Sequence, residues 1–186
     1  MAGDGRVGEL PIEVKCRKFK NRLPNSTFVV CEFKSSDLPT LPGTYALVLS
    51  AGISSSVEIG KLGTLALMPG IYLYIGSAFG PGGLRARVAH HRKIATRPHW
   101  HLDYLRPKTS LKSAWYSCDA DKREHLWAEV AGEMDGATVL LGRFGASDCS
   151  CATHLFYFAK MFDEACFKKL LIKRCPGHGA IHKVVG

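Results

Sequence analysis

Aromatic and β-branched residues alternate through Gly70-Ile71-Tyr72-Leu73-Tyr74-Ile75-Gly76-Ser77, with glycines bounding the run. Alternation of this kind predicts a strand. The chain then turns through Phe79-Gly80-Pro81-Gly82-Gly83 and enters Leu84-Arg85-Ala86-Arg87-Val88-Ala89-His90-His91-Arg92-Lys93, whose apolar spacing is that of an amphipathic helix. A period of two puts Tyr72 and Tyr74 on one face of the strand, and a spacing of four puts Arg87 and His91 on one face of the helix. Two phenols, a guanidinium and an imidazole are thereby expected at one cleft.

The same patterning predicts the other elements. Pro42-Gly43 opens a second apolar run, 44–50, that ends at Ser50, Ala51 and Gly52. Residues 57–60 and 64–68 flank Lys61-Leu62-Gly63 and read as a short hairpin. Joined to the 71–76 run, these segments are expected to form one small sheet, mainly antiparallel because their connections are too short for helical crossovers. Residues 97–107 read as a short helix bracketed by Pro98 and Pro107, and 113–118 as a strand. Asp119 or Asp121 is then expected to cap a helix with the apolar face Leu126, Trp127, Val130 and Met134, ending near Gly136. A glycine-punctuated segment, 142–151, leads into the apolar run 154–158; a last helix, 163–174, precedes Pro176-Gly177 and a basic, histidine-bearing tail. At the start of the chain, alternation at 12–17 and 27–33 around a turn at 21–26 suggests a separate hairpin. The expected organisation is an α/β (α+β) domain over 41–160, with an N-terminal hairpin extension at 1–40 and a C-terminal helix and basic tail at 161–186.

Composition narrows the class. At 186 residues and 46% hydrophobic content, the chain can build one main domain with a proper core. It has no unbroken apolar stretch of the ~18 to 20 residues a membrane span needs, and no signal-peptide pattern, so the expectation is a soluble, cytoplasmic protein with no membrane partner. Seven scattered cysteines do not make a secreted disulfide framework, and reduced thiols are expected. A formal charge of +9 biases the surface toward polyanions. From Arg85 to Lys108 there are seven Lys or Arg (Arg85, Arg87, Arg92, Lys93, Arg97, Arg106 and Lys108) against one acid, Asp103, with Trp100 and Tyr104 interleaved. Such a stripe is suited to several phosphate contacts.

Gly43-Thr44-Tyr45, Tyr74-Ile75-Gly76 and Leu84-x-x-Arg87-x-x-x-His91 resemble the GIY-YIG nuclease superfamily. Further blocks, Gly60-Lys61-Leu62-Gly63, Gly76-Ser77-Ala78, His99-Trp100-His101-Leu102-Asp103-Tyr104-Leu105 and Phe144-Gly145-Ala146-Ser147-Asp148-Cys149-Ser150-Cys151, resemble a narrower branch of it, sometimes found fused to endonuclease III. The literal Gly70-Ile71-Tyr72 shares a strand with Tyr74 and cannot supply the first strand of the motif, so Tyr45 and Tyr74 are the equivalent pair and Tyr72 a runner-up.

This resemblance implies a small GIY-YIG-like fold that hydrolyses phosphodiester bonds of DNA, including structure-specific or damaged DNA, with one divalent metal, Mg²⁺ or Mn²⁺. It implies that Tyr45 or Tyr74 orients or deprotonates a water with help from His91, and that Arg87 binds the phosphoryl oxygens. Arginine is chemically suited to that task because its fork is bidentate and stays charged. A phenol, with an ordinary pKa near 10, makes a poor base without a neighbouring cation. Glu124 is the implied metal ligand, although Asp121-x-x-Glu124 also reads as a capping box. Arg85, Arg92, Lys93, Arg97 and Trp100 are the expected nucleic-acid contacts; His99, His101, Asp103 and Asp148 belong to the narrower pattern and are expected to order the cleft. Ser77 stands where some members carry a lysine. Two rival readings are a nucleic-acid-binding domain without turnover and a zinc module built from Cys149, Cys151 and His154 with His99 or His101.

Overall fold

A computed structural model describes residues 37–185, so the expected N-terminal hairpin lies outside the described residues. In chain order the elements are β1 (Thr44–Ala51), β2 (Ser55–Glu58), β3 (Thr64–Leu67), β4 (Gly70–Ser77), α1 (Gly83–Arg92), α2 (His101–Leu105), β5 (Ser110–Ser117), α3 (Glu124–Glu133), β6 (Leu155–Phe158), α4 (Glu164–Arg174) and β7 (His182–Val185). Five of the strands form an antiparallel sheet in the order β6-β4-β1-β5-β7.

The sheet is covered on both faces, which is why β1 and β4 carry apolar residues nearly without interruption. On one face, Tyr45, Leu47, Leu49, Tyr72 and Tyr74 pack with Leu84 and Val88 of α1, Leu102 and Leu105 of α2, and Val57 and Leu65 of the β2–β3 hairpin. On the other, Ala46, Val48, Leu73, Ile75 and Trp115 pack with Trp127, Val130, Phe167 and Leu171 of α3 and α4. Removing a side chain of this size from water contributes roughly 1.5–3 kcal/mol. The result is a three-layer α+β domain.

Three local expectations need correction. Among the described residues, β2 and β3 pair only with each other, as a separate two-stranded sheet, because their alternation fixes a buried face without fixing which strand lies alongside. The region after Pro176 is not simply a tail: β7 pairs with β5 at the sheet edge. The cap of α3 is Arg123, not Asp119 or Asp121; those carboxylates instead take the Arg123 guanidinium at 3.1 and 2.6 Å. Glu124 is therefore the first residue of α3, and the capping-box alternative falls away. Asp163 does cap α4, accepting the Ala165 amide at 2.8 Å. Among the described residues no helix is long and apolar enough to cross a membrane.

Candidate functional site

The start of β1, the end of β4 and the N-terminus of α3 meet at one end of the sheet, around a cleft of about 150 Å³ lined by Tyr45, Tyr74, Arg87, His91 and Glu124 among others. Register explains the two phenols. Tyr45 pairs with Gly76 and Leu47 with Tyr74, so the tyrosines sit diagonally on one face with ring centroids 6.5 Å apart. Gly76 is required by this pairing: a Cβ there would lie 2.5 Å from both Cζ and the hydroxyl of Tyr45. Burial pushes the Tyr45 and Tyr74 hydroxyls well above the ordinary phenol range, with the Arg87 charge opposing in both cases. Both are neutral near pH 7.

Helix α1 delivers the cation and the imidazole. Its buried stripe, Gly83, Leu84, Val88 and His91, fixes its rotation against the sheet. His91 Nε2 lies 3.0 Å from the Tyr45 hydroxyl. Burial lowers the His91 pKa to about 3; His90, Arg87 and Arg106 reinforce that shift, and Asp103 opposes it. The guanidinium of Arg87 sits 4.2 Å above the Trp100 ring, a cation–π contact that restricts its rotation.

Asp103 ties α1 to α2. Its Oδ2 accepts the backbone amides of His99 and Trp100, both at 3.0 Å, while Oδ1 lies 2.9 Å from His90 Nε2. Burial would raise this carboxyl, but those hydrogen bonds hold it below the usual carboxylate range. His91 Nδ1 is buried with no hydrogen-bond partner among the described residues, and Asp103 Oδ1 is 3.9 Å away. The Asp103 charge thus faces the imidazole on the side opposite Tyr45.

Glu124 enters from α3, on the other layer. The buried Thr44 hydroxyl accepts the Arg123 amide at 3.0 Å, fixing the first turn of α3 to the residue before Tyr45. Glu124 itself is buried, and its Oε1 lies 2.6 Å from Lys122 Nζ and 3.4 Å from His125 Nε2. The hydrogen bond to Glu124 raises the Lys122 pKa. Gly145, Asp148 and His154 complete the wall. Gly145 has φ +71°, and a Cβ there would come within 3.0 Å of Tyr74 and His154; its amide donates to His101 Nδ1 at 2.9 Å.

The remaining expected residues divide. Trp100 and Asp148 line the cleft; Ser77, at the expected lysine position, lines it too. Asp103 and His101 brace it through the contacts above. Tyr72 does not join: its hydroxyl is turned to Met68, accepting the amide at 2.8 Å and donating to the carbonyl at 2.9 Å. Arg85 Nε donates to the Leu38 carbonyl at 2.7 Å. Arg106, counted in the basic stripe, is buried and donates to the His91 carbonyl at 2.5 Å and the Thr109 carbonyl at 2.8 Å. Arg92 is half-buried, and Lys93, Arg97 and His99 are exposed.

Sequence reasoning missed Lys122, Thr44 and His125, and offered His154 only as a zinc ligand rather than as part of the cleft wall. Neighbourhood to Glu124 was the available signal for Lys122; Thr44 and His154 gain their places only from long-range packing. Neither His99 nor His101 approaches Cys149 and Cys151 as a ligand; His125 does, its ligand atom and those of Cys149, Cys151 and His154 all lying within 4.8 Å of one another. A larger cavity of about 380 Å³, between the end of α3 and the start of α4, is lined by Met134, Phe158, Met161, Phe162 and Cys166 among others.

No curated protein and no solved structure gives a significant match to the chain. The sequence model of one family, described as Domain of unknown function DUF123, matches residues 44–175, a stretch that runs from the first residue of β1 to the cap after α4. That match covers most of the 186 residues, and the chain belongs to the Domain of unknown function DUF123 family.

Proposed function

We propose that the chain is a metal-dependent DNA endonuclease that hydrolyses phosphodiester bonds at a GIY-YIG-type site. The observation that carries this reading is the convergence of Tyr45, Tyr74, Arg87, His91 and Glu124, from four elements and both layers, on one small cleft. These residue types match what the reaction requires: a positioned water, a cation for the developing charge on phosphorus, and a route for a proton.

Arg87 is suited to grip two phosphoryl oxygens, with Trp100 keeping its fork flat and aimed. The raised pKa values of Tyr45 and Tyr74 disfavour a phenolate. The tyrosines therefore act as neutral hydrogen-bonding groups that orient the water. As its oxygen bonds to phosphorus the P–O bond to the leaving sugar oxygen breaks, the water's proton passes along Tyr45 Oη to His91 Nε2, and the leaving oxygen takes a proton from solvent. His91 is neutral and has an acceptor nitrogen to offer.

A hard cation takes oxygen ligands and keeps much of its water, and the carboxylates of Glu124 and Asp148 on the cleft wall suit such an ion. Glu124, with Asp148, would hold Mg²⁺ or Mn²⁺; when bound, the ion supplies charge that polarises a phosphoryl oxygen. Exposed Lys93 and Arg97, with Arg92 beside them, offer the flanking phosphate contacts.

One observation favours a second reading. Lys122 already neutralises Glu124 at 2.6 Å, as in a nucleic-acid-binding domain that does not turn over. Incubation with supercoiled, branched and single-stranded DNA in Mg²⁺ or Mn²⁺ separates the two. Nicking by the wild type that drops ~10²-fold or more in Arg87→Ala and Glu124→Ala supports the nuclease. Equal nicking by all three removes that reading, and Arg87-dependent binding without nicking supports the second.

A further inference from the structure

We propose that Cys149, Cys151, His154 and His125 form a zinc site that clamps the glycine-punctuated segment 142–154 onto the N-terminus of α3. Their four ligand atoms lie within 4.8 Å of one another. Cys149 Sγ and His154 Nε2 are 3.6 Å apart. A tetrahedral ion with Zn–S of ~2.3 Å and Zn–N of ~2.0–2.1 Å has an S···N edge of about 3.5 Å, so this pair already stands at ligand spacing. Two thiolates and two imidazoles form a set that selects Zn²⁺ and is poorly matched to Mg²⁺, which distinguishes this centre from the carboxylate-lined wall of the cleft.

The backbone is shaped for it. Arg143 adopts φ 63°, the left-handed region rarely occupied by a residue with a side chain. From there its guanidinium donates to the carbonyls of both Cys149 and Cys151, at 2.6 and 3.1 Å, gathering the Cys-x-Cys turn around one cation. The segment is closed at its base by Arg143 N to Ala152 O at 2.6 Å and His154 N to Phe144 O at 2.7 Å. It carries no helix or strand of its own up to β6. His154 is buried, whereas His125 is exposed on the first turn of α3.

All four ligand positions are filled by protein, the arrangement of a structural ion rather than a catalytic one. Its consequence is mechanical: the segment bearing Gly145 and Asp148 is tied to the helix bearing Glu124, so the two sides of the cleft wall move as one. The proposal stands apart from the nuclease reading, and its test uses no DNA.

The full chain, expressed with zinc and washed with a weak chelator, is assayed for metal by mass spectrometry and then exchanged into Co²⁺. Expected are about one zinc per chain, strong visible bands of tetrahedral cobalt with a thiolate charge-transfer band, and protection of Cys149 and Cys151 from thiol reagents. His125→Ala, at an exposed position, is expected to weaken Zn²⁺ binding at least ~100-fold, more than loss of an outer-shell partner does. Cys149→Ser with Cys151→Ser should abolish the charge-transfer band. Folded, zinc-free protein without cobalt–thiolate absorption overturns the proposal, as does a Cys149–Cys151 disulfide located by non-reducing peptide mapping, which the seven cysteines of the chain make necessary. The cobalt spectrum of the wild-type chain decides the matter whether or not any variant folds.

Discussion

The Tyr45 hydroxyl lies 3.0 Å from Nε2 of His91, and both side chains are almost wholly out of water. Around His91 stand Arg87 and His90 on its own helix, Asp103 and Arg106 from beyond it, and the phenols of Tyr45 and Tyr74 from the sheet. A histidine whose folded pKa is about 3 binds fewer protons than the unfolded chain, where the ordinary value near 6.5 applies. Stability from this group is therefore present above pH 6.5 and is lost as pH falls toward 3, at up to ~1.4 kcal/mol per pH unit. His91→Gln removes that contribution. Urea unfolding between pH 7 and pH 4.5 should show a shallower fall for the variant than for the wild type; parallel slopes would mean that His91 is not held neutral.

Gly76 faces the Tyr45 ring with no room to spare. A methyl group there would meet Cζ and the hydroxyl at 2.5 Å, and β4 is held by β1 and β6, so the ring has to move. Gly76→Ala should cost about 1–3 kcal/mol, as overpacking does, and break the contact with His91. Thermal unfolding reads the first effect, and loss of nicking reads the second. A variant as stable and as active as the wild type would show that the Tyr45 position is not fixed by this register.

Much of this cleft is legible in the sequence because β4 and α1 are adjacent and strongly patterned. Tyr74 and Arg87 follow from periods of two and 3.6 alone. Tyr45 needs the register of β1 on β4, which no local pattern prints, and the motif resemblance supplied it. The direction in which charged side chains point is not set by local pattern. Arg85 and Arg106 count toward a basic stripe, yet both turn to carbonyl oxygens: Arg85 to Leu38 in the segment before β1, and Arg106 to His91 in the last turn of α1, where carbonyls lack intrahelical partners. β7 escapes notice because an edge strand with exposed His182 and Lys183 carries little apolar alternation. The α3 cap is not legible locally, because the Asp119 and Asp121 side chains pair with Arg123 in place of the helix amides.

Thr44 offers a direct test of how the two layers are joined. Its buried hydroxyl is the acceptor for the Arg123 amide, one residue before Glu124. Thr44→Val keeps the shape and leaves that amide without a partner, which should cost about 1–3 kcal/mol. Because Glu124 rides on the same turn, nicking should fall more than the loss of folded protein explains. Hydrogen exchange at the Arg123 amide checks the cause, since unchanged protection there would dissociate the hydroxyl from the helix.

Arg87 separates positioning from charge. Lysine at this site keeps the positive charge but loses the flat fork that stacks on Trp100 and that can hold two phosphoryl oxygens at once. Arg87→Lys is therefore expected to lower nicking ~10²-fold or more while leaving the salt dependence of DNA binding nearly unchanged. The exposed pair Lys93 and Arg97 should behave in the opposite way. Lys93→Ala with Arg97→Ala should reduce the slope of log affinity against log salt by about two, weaken binding across sequences alike, and leave the rate at saturating DNA almost intact. Titrations at several salt concentrations, beside single-turnover cleavage, distinguish the two. If Arg87→Lys cleaves as well as the wild type, charge alone suffices and the fork has no role; if the double variant loses rate at saturation, those side chains belong to the chemistry rather than to the path of the backbone.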